Sequence, residues 1–272
     1  MTDEPNLLGA FLRARRELVT PDEAGIPVLG VRRVPGLRRE EVAMLAGISA
    51  DYYLRLERGR DRHPSVQVLS SLARVLRLDD DSREYLLGLG ADTPRRIRRR
   101  RQESVPASTA KLVAMLPLPA FVEGRCMDVL VANPLATALS PRLAPGGNRI
   151  RDVLLDPAEQ ALLPYWEEAA VTLVAHLREA IGTDVDDARA VELVGEMSLA
   201  SPLFRRLWAR HDVRSRLGAT MSFVHPQVGE ITLNREKLHV SGTDGIMLVV
   251  YHPDAGSADE EKLAMLGTLA AV

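Results

Sequence analysis

Residues 36–65, "GLRREEVAMLAGISADYYLRLERGRDRHPS", decide how the N-terminal part of the chain folds. Their apolar positions recur with a helical period, but Gly47 interrupts that period between two short runs. Because glycine adopts positive φ without a clash from a Cβ atom, it lets one helix end and the chain turn sharply. Ser49 follows and is a suitable N-cap for a second helix. The stretch therefore predicts a helix-turn-helix.

The two predicted helices divide their side chains between a shared core and an outward face. Five apolar side chains are spaced to share one core beneath both helices: Val42, Leu45, Ile48, Tyr53 and Leu56. The outward face is left with Ala50, Asp51, Tyr52 and Arg55. In a helix-turn-helix the second helix enters the major groove of DNA, so these four residues are the first candidates for reading a base sequence.

The flanking sequence predicts an all-α domain of five helices. Helical patterns cover residues 6–19, 39–46, 49–58, 65–77 and 80–89. Asn6 and Ser65 are suitable N-caps, and Asp79 to Asp81 place negative charge at the start of the last helix, where the helix dipole favours it. Residues 20–37 contain several prolines and glycines and are predicted to form a loop.

A family resemblance rests on residues 38–65 and extends over residues 7–89. The combination of "EEVAMLAGIS", "LERGR" and "PS" resembles the Cro/C1-type helix-turn-helix of XRE-family regulators. The resemblance implies a double-stranded DNA operator as partner. The residues that it places at the DNA are Arg38, Arg39, Ser49, Ala50, Asp51, Tyr52, Arg55, Arg58 and Arg60. Phosphate contacts by the arginines in this set would make the affinity fall steeply with salt concentration.

The same resemblance assigns one structural role and leaves others open. Glu57 corresponds to a structural acid that pairs with an arginine of the first helix, and Arg16 is placed to be that arginine. Asp51 either accepts from a cytosine amino group or supports the N-terminus of the recognition helix. Arg32 and Arg33, in the long loop before the motif, either reach the DNA backbone or are only solvated.

Charge is distributed unevenly along the chain. Residues 1–103 contain 20 arginines, no lysine and 16 acidic residues, a net charge of +4, whereas the remainder carries −6. A basic half favours a polyanionic partner, but 32 arginines against 3 lysines is also typical of GC-rich coding. One cysteine excludes an internal disulfide framework, and there is no run of 18 apolar residues and no apolar leader. We therefore expect a cytoplasmic protein with no membrane partner.

A change in the sequence pattern, from all-helical to mixed α and β, predicts two domains. Residues 91–110 lack a core-forming pattern and are predicted to be a linker between an all-α domain, residues 1–90, and a mixed α/β domain, residues 111–272. Six of the seven residues 95–101 are arginines, which form either a solvated charge run or further phosphate contacts.

The second domain is predicted to frame a helical insert with antiparallel hairpins. Strand-like runs occur within 119–133 and three times within 219–254, where Pro-Gln-Val-Gly and Gly-Thr-Asp-Gly turns separate them. Amphipathic patterns predict helices over residues 159–182, 187–201, 202–214 and 259–272.

Four segments of this half resemble the MmyB-like ligand-binding domain, over residues 112–270: "LPLPAFVEGRCMDVLVANPLATAL", "SPLFRRLWARHDVR", "VHPQVGEITLNREKL" and "LVVYHPDAGSADEEKLAML". The resemblance implies a PAS-like antiparallel sheet with helices packed on one face. It also implies an apolar ligand, for which a fatty acid is the best precedent, and no other cofactor. Two departures bear on that ligand: "TLNREKL" lacks the usual aromatic residue, and Met221 stands where a basic residue is common.

Candidate ligand-binding residues are large or deformable apolar side chains, together with cations that would hold a carboxylate. The apolar candidates are Met197, Phe204, Trp208, Met221 and Phe223, and the candidate donors are Arg125, Arg206 and His225. Methionine fills irregular cavities, and ligand pockets are mostly apolar with a few polar groups. The alternative is that the apolar candidates simply form the domain core.

No pattern for catalysis stands out. His211 and His225 lack metal-ligand spacing, and Cys126, in a strand-like run, is expected to be a small buried hydrophobe. The prediction is a DNA-binding transcriptional regulator with an apolar small-molecule effector. It is predicted to be a homodimer, because one helix-turn-helix covers only a half-site. Two alternatives stay open: the C-terminal domain binds a protein partner, or it is a hydrolase or transferase.

Overall fold

The structure, a computed structural model, describes residues 6–27, 32, 34–91, 103–182, 187–213 and 219–270. These residues group into two compact units. The first unit contains the described residues up to 91, together with residue 182 and residues 206–213 from much later in the chain. The second unit contains residues 103–181, 187–205 and 219–270.

The N-terminal part of the first unit is built from the five helices that the sequence predicts. They are α1 (Leu7–Leu18), α2 (Arg39–Ala46), α3 (Ala50–Glu57), α4 (Val66–Val75) and α5 (Asp80–Gly90). Each predicted helix is confirmed, with ends within two residues of those observed. The N-caps are confirmed as well, because Asn6, Ser49 and Ser65 each accept a hydrogen bond from a backbone N–H of the following turn.

One apolar core joins these helices. Val42, Tyr53 and Leu56 are fully buried, and Leu45 and Ile48 are partly buried against the same core, as their spacing predicts. The core continues into α1, α4 and α5 through fully buried side chains that include Phe11, Leu12, Leu72 and Leu86. The helix-turn-helix of α2 and α3 is therefore packed against α1, α4 and α5 through one core.

Residues 206–213 add to this unit from far along the chain. Val213 is 3% exposed and belongs to the same core, and Asp212 accepts a hydrogen bond from Nη1 of Arg15 at 2.6 Å. The His211 ring lies edge-on to Phe11, with ring centroids 6.3 Å apart. A segment outside the predicted N-terminal domain thus helps to close its core.

The corner between α2 and α3 depends on Gly47. Its φ of 71° and ψ of 31° lie in the left-handed region, as predicted. The N–H of Ile48 donates to the carbonyl of Ala43 at 3.0 Å and so caps the end of α2. A Cβ atom at Gly47 would meet no atom within 4 Å, so the requirement for glycine is conformational rather than steric.

The second unit contains a five-stranded antiparallel sheet, as expected, with strand order β2-β1-β5-β4-β3. The strands are β1 (Ala120–Glu123), β2 (Val129–Ala132), β3 (Ala219–His225), β4 (Gly229–His239) and β5 (Met247–His252). The helices are α6 (Ala107–Met115), α7 (Pro134–Leu139), α8 (Arg149–Leu155), α9 (Pro157–Leu162), α10 (Trp166–Ile181), α11 (Ala188–Ala200), α12 (Pro202–Ala209) and α13 (Ala258–Ala270). Most of them lie between β2 and β3 in the chain, so the predicted helical insert is confirmed.

Three details of the predicted secondary structure are wrong. The pattern over 159–182 is not one helix, because Pro164, which has no backbone N–H to donate, separates α9 from α10. The helix predicted over 202–214 ends at Ala209, and His211 beyond it has a positive φ of 54°. The predicted linker ends early, since α6 begins at Ala107; residues 92–102, with the arginine run, lie outside the described residues.

Helices cover both faces of the sheet, whereas the resemblance implied one face. On one face, Val113 of α6 packs with Val122 and Leu248. On the other face, residues of α8 and α10 lie opposite Phe121 and Val249. Successive strand residues point to opposite faces, so neighbours such as Phe121 and Val122 contribute to different layers.

We expect Gly47→Val to lower the free energy of unfolding by about 2 kcal/mol or more, because a β-branched side chain at positive φ is strained. Urea unfolding of the full chain measures this change. Gly47→Asn is the matched control, since asparagine tolerates the left-handed conformation, and it should lose clearly less stability. An unchanged melting temperature for Gly47→Val would contradict the role assigned to this corner.

Candidate nucleic-acid interface and ligand cavity

The outward face of α3 carries an ordered polar cluster formed by Asp51, Tyr52 and Arg55. Nη1 of Arg55 donates to Oδ2 of Asp51 at 2.5 Å, one helical turn away. The Arg55 guanidinium also lies 5.4 Å from the centroid of the Tyr52 ring, within cation–π distance. Exposed pairs of this kind contribute only about 0.3–0.5 kcal/mol, so Arg55 can leave Asp51 for a base edge at small cost.

This cluster bears on the two roles that the sequence left open for Asp51. The capping bond at the start of α3 comes from Ser49, whose hydroxyl accepts from the N–H of Tyr52 at 3.1 Å. The Asp51 side chain is 73% exposed and faces Arg55. The structure thus gives Asp51 a third role, orientation of the Arg55 fork, that sequence reasoning missed although the i, i+4 spacing signals it.

Beneath this face, Glu57 connects three helices through a buried carboxylate. Nε of Arg16 in α1 donates to one oxygen at 2.7 Å, which confirms the predicted pair, and Nε of Arg39 in α2 donates to the other at 2.6 Å. The Glu57 side chain is fully buried. Burial pushes its pKa up, but the hydrogen bonds from the two arginines outweigh burial and bring the pKa below its usual value.

The second Glu57 partner, Arg39, was predicted only as a DNA contact. Its side chain is 41% exposed, so the same guanidinium that pairs with Glu57 also reaches the surface at the start of α2. Nη1 of Arg16 donates in addition to the carbonyl of Leu37 at 2.9 Å. The buried acid therefore holds an arginine on the predicted DNA face in place.

The remaining predicted DNA contacts lie around this core. Arg38, Ser49, Ala50, Arg58 and Arg60 are exposed. All belong to α2, α3 or the residues directly before and after them. The structure thus brings the predicted set together on neighbouring elements of one unit.

Arg32 has a structural role in the loop before the motif. Its guanidinium donates to both carboxylate oxygens of Glu41, at 2.8 and 2.7 Å, and to the carbonyl of Gly36. Such a bidentate pair neutralises the arginine and ties the loop to α2. Arg33 lies outside the described residues.

In the second unit, a cavity lies between one face of the sheet and helices α8 and α10. We call it the sheet cavity. Its volume is about 20 Å³, close to that needed by one water molecule. Its apolar walls include Phe121, Val153, Leu163, Leu173, Met221 and Val249. Its polar walls are Glu123, Arg149, Arg235, Lys237 and Tyr251.

The polar walls of the sheet cavity are buried charges. Nζ of Lys237 on β4 donates to Oε1 of Glu123 on β1 at 2.5 Å, reaching across β5, which lies between them. Nη1 of Arg149 donates to Oε1 of Glu159 at 2.8 Å. Arg235 is only 6% exposed, and its Nε has no hydrogen-bond acceptor among the described residues. An apolar cavity with buried charge in its wall suits an amphipathic ligand.

Of the predicted ligand residues, the structure places Met221 in the wall of the sheet cavity. Phe223, two residues along β3, packs edge-on against Tyr251 with ring centroids 5.5 Å apart. Met197 and Phe204 are fully buried on α11 and α12 and do not line the cavity. Trp208 is partly buried near the end of α12, in residues that belong to the first unit.

The predicted carboxylate donors also lie away from the sheet cavity. Arg125 donates to the carbonyl of Ala180 at 3.0 Å and lies 3.5 Å from Asp187. His225 has its Nε2 2.9 Å from the carbonyl of Ala138. Arg206 is exposed.

Sequence reasoning missed the charged walls, although one signal was available. In β4 the residues at positions 231, 233, 235 and 237 are buried while most of their neighbours are not. This alternation puts Arg235 and Lys237 on the same inward face as Ile231 and Leu233. A charged residue at an apolar position of an alternating strand was therefore visible in "GEITLNREKLH".

Cys126 is 3% exposed, as expected for a small buried hydrophobe. Burial raises the pKa of its thiol to about 12, so it is protonated at neutral pH. Within the described parts of the chain there is no group of His, Cys, Asp and Glu side chains arranged to hold a metal ion.

Comparison with known families gives one match in each half of the chain. A family model described as the MmyB-like transcription regulator ligand binding domain matches residues 105–266. A second model, described as a helix-turn-helix domain, matches residues 7–86. No curated protein matches the chain. Neither of the two matched families is described as catalytic. No helix of the described residues is long and apolar enough to cross a membrane.

We expect Arg55→Ala to lose about 1–3 kcal/mol of binding to a duplex selected by the wild-type protein, and to lose little on a scrambled duplex. Arg60→Ala is the matched control, because a phosphate contact should weaken binding to both duplexes and flatten the salt dependence. Salt-titrated binding of each variant to both duplexes makes the comparison. If the two variants behave alike, Arg55 does not read a base.

We expect Glu57→Gln to lower the free energy of unfolding by about 3 kcal/mol near neutral pH, because it leaves Arg16 buried without a counter-charge. The pKa of Glu57 is lower in the folded than in the unfolded state. Its stabilisation is therefore fully present above the unfolded pKa, about 4.3, and is lost as the pH falls through the folded pKa.

Urea unfolding at several pH values tests both parts of this expectation. The difference between wild type and Glu57→Gln should stay constant at neutral and weakly acidic pH and shrink below about pH 4. Asp51→Asn, which removes an exposed carboxylate, serves as control and should change stability by less than about 0.5 kcal/mol. A difference that grows on acidification would contradict the assigned role of Glu57.

Proposed function

The chain belongs to the family defined by the MmyB-like transcription regulator ligand-binding domain, and from that premise we propose a sequence-specific regulator whose operator affinity responds to an apolar ligand. It is a DNA-binding transcription regulator with a helix-turn-helix and a ligand-binding domain. What the proposal adds is the reading face, the homodimer, the class of ligand, the coupling between the two functions and action in the cytoplasm.

The outward face of α3 supports sequence-specific reading. Asp51, Tyr52 and Arg55 form one connected cluster there, and an arginine fork suits the two acceptors on a guanine edge. Arg38, Arg58 and Arg60 are exposed on either side and would meet phosphates. One such helix reads a half-site, so two copies of the chain would read a two-fold operator.

The sheet cavity supports an apolar ligand. Seven apolar side chains line it together with five polar ones, and ligand sites combine apolar walls with a small number of polar groups. Met221 lies in its wall, and a methionine side chain adapts its shape to a guest. A fatty acid, the precedent that the family resemblance supplies, is the proposed effector.

Helix α12 supports a coupling route. Its first residues belong to the second unit, whereas residues 206–213, which include its end, belong to the first unit. In that segment, Val213 packs into the core of the first unit, and Asp212 accepts a hydrogen bond from Arg15. We place the transmitted change in residues 91–108 and in this segment, which returns to the first unit from late in the chain.

A protein partner in place of a small ligand is the second candidate. A cavity of about 20 Å³ holds no more than about one water molecule. Helix α11 meanwhile exposes Leu199 by 87% and Val191 by 59%. These observations favour a partner that binds the surface of the second unit, and they make ligand binding the first measurement to carry out.

We expect saturated fatty acids of graded chain length to raise the melting temperature of the delipidated full chain and to change its operator affinity by about 5–150-fold. Such a change requires unequal binding of the ligand to the two states of the regulator. Native mass spectrometry reports the subunit count and any co-purified ligand. Asp212→Ala should keep the ligand-induced stabilisation and reduce the change in operator affinity.

Each outcome decides between the candidates. Stabilisation without any change in operator affinity would make the ligand structural and contradict the switch. Failure of every fatty acid and alcohol to stabilise the protein would favour the protein partner. Arg210→Ala is the control for Asp212→Ala. It removes the other arginine that pairs with the Asp212 carboxylate and keeps the bond from Arg15, so it should leave the change in operator affinity unaltered.

A further inference from the structure

The inward face of β4 carries a buried cation for which the described residues supply no counter-charge. Arg235 is 6% exposed and stands in an alternating series with Ile231 and Leu233, which are buried and apolar. Its Nε has no acceptor, and no carboxylate of the described residues forms an ion pair with it. Since a guanidinium does not lose its proton in proteins, this charge persists.

The neighbouring charges of the sheet cavity are already paired. Lys237 bonds to Glu123, and Arg149 bonds to Glu159. Glu159 is 2% exposed and also accepts from the Ser140 hydroxyl at 2.6 Å, so its two oxygens are engaged. Of the four charged side chains that line the cavity, Glu123, Arg149, Arg235 and Lys237, Arg235 is the one with no ion pair among the described residues.

A buried charge without a partner is destabilising, because its hydration is lost and nothing replaces it. A bound ligand of opposite charge is one way in which such a charge is compensated. Arg235 offers the planar fork that suits a carboxylate held by two parallel hydrogen bonds. Tyr251 is its direct neighbour across the β4–β5 ladder and also lines the cavity. Burial raises the pKa of the Tyr251 phenol, which keeps its hydroxyl as a donor.

We propose that Arg235 anchors the carboxylate of an amphipathic ligand, whose apolar chain lies along Phe121, Leu173 and Met221 in the sheet cavity. The inference rests on the proposed function, because it names the head group of the ligand proposed there. The family resemblance does not supply this anchor: "TLNREKL", which contains Arg235 and Lys237, is where this chain departs from the usual aromatic version.

The size of the sheet cavity defines how such a ligand enters. At about 20 Å³ it has space for about one water molecule, so the head group and the chain must both displace side chains from its wall. Met221 is only partly buried and is unbranched, which makes it the side chain that yields at least cost. The anchor then selects the head group, and the deformable wall sets the tolerated chain length.

The test uses the full chain and two probes of equal chain length, dodecanoate and 1-dodecanol, with affinities measured by titration calorimetry. Wild type should bind dodecanoate about tenfold more tightly than the alcohol or better, since only the acid neutralises Arg235. Arg235→Met should abolish that preference while it keeps or improves alcohol binding. Arg235→Lys should retain part of it, because the charge stays and the fork is lost.

Arg151→Met is the matched control. Arg151 is an arginine of the same unit, paired with Glu196 away from the cavity walls, and its loss should leave the preference for the acid unchanged. Should Arg235→Met not fold, Arg235→Gln gives the same comparison with a polar, uncharged side chain.

The outcomes separate this inference from the proposed function on which it rests. If wild type binds the acid and the alcohol equally, or if Arg235→Met still prefers the acid, the anchor is wrong while an apolar ligand remains. If neither probe binds wild type, the ligand and its anchor are both overturned. A preference for the acid that Arg235→Met alone removes supports the assignment.

Discussion

The buried carboxylate of Glu57 is the interaction on which the DNA-binding unit depends. It accepts from Arg16 of α1 and from Arg39 of α2 while it belongs to the end of α3 itself. Hydrophobic packing alone is non-directional and tolerates small rotations of a helix. Two charge-assisted hydrogen bonds on the two oxygens of one carboxylate do not, because each fixes a distance and an angle. The orientation of the outward face of α3 follows from this geometry.

The second unit also buries charges but leaves one of them uncompensated. In the first unit, both arginines that reach the buried acid share its charge and satisfy both of its oxygens. In the sheet cavity, Lys237 and Arg149 have partners whereas Arg235 has none among the described residues. A satisfied buried network rigidifies a core, whereas an unsatisfied buried group requires an explanation, which on our proposal is a ligand. The same chemistry thus serves structure in one unit and points to a ligand in the other.

A structural feature is predictable from the sequence when the residues that determine it lie close together along the chain. The five N-terminal helices, their caps and the Gly47 corner are local, since each rests on residues within one or two turns. The break at Pro164 was equally local, and it was missed because the apolar period continues on either side of the proline. The Glu57–Arg39 bond and the packing of Val213 into the first unit join residues far apart in sequence or on different elements, so no periodicity contains them.

The sheet cavity was harder to predict because its walls come from four strands and two helices. Phe121 and Lys237 lie on strands that are not neighbours, and only the register places both beside Val249 of β5. The ligand residues were predicted from the size and flexibility of their side chains, and these properties are shared by core residues and pocket residues. An unpaired charge at an inward strand position is the more selective signal, because burying such a charge destabilises an ordinary core.

The uncompensated charge also bears on how a ligand could change DNA binding. A ligand shifts a conformational equilibrium only by the difference between its binding free energies in the two states. Apolar contacts alone change little between two similar packings, since methionine and leucine walls adjust to a chain in either state. Neutralisation of a buried guanidinium depends steeply on distance and angle, so a small movement of β4 alters it strongly. The proposed head-group anchor on the sheet would therefore provide the unequal binding that an apolar chain by itself does not.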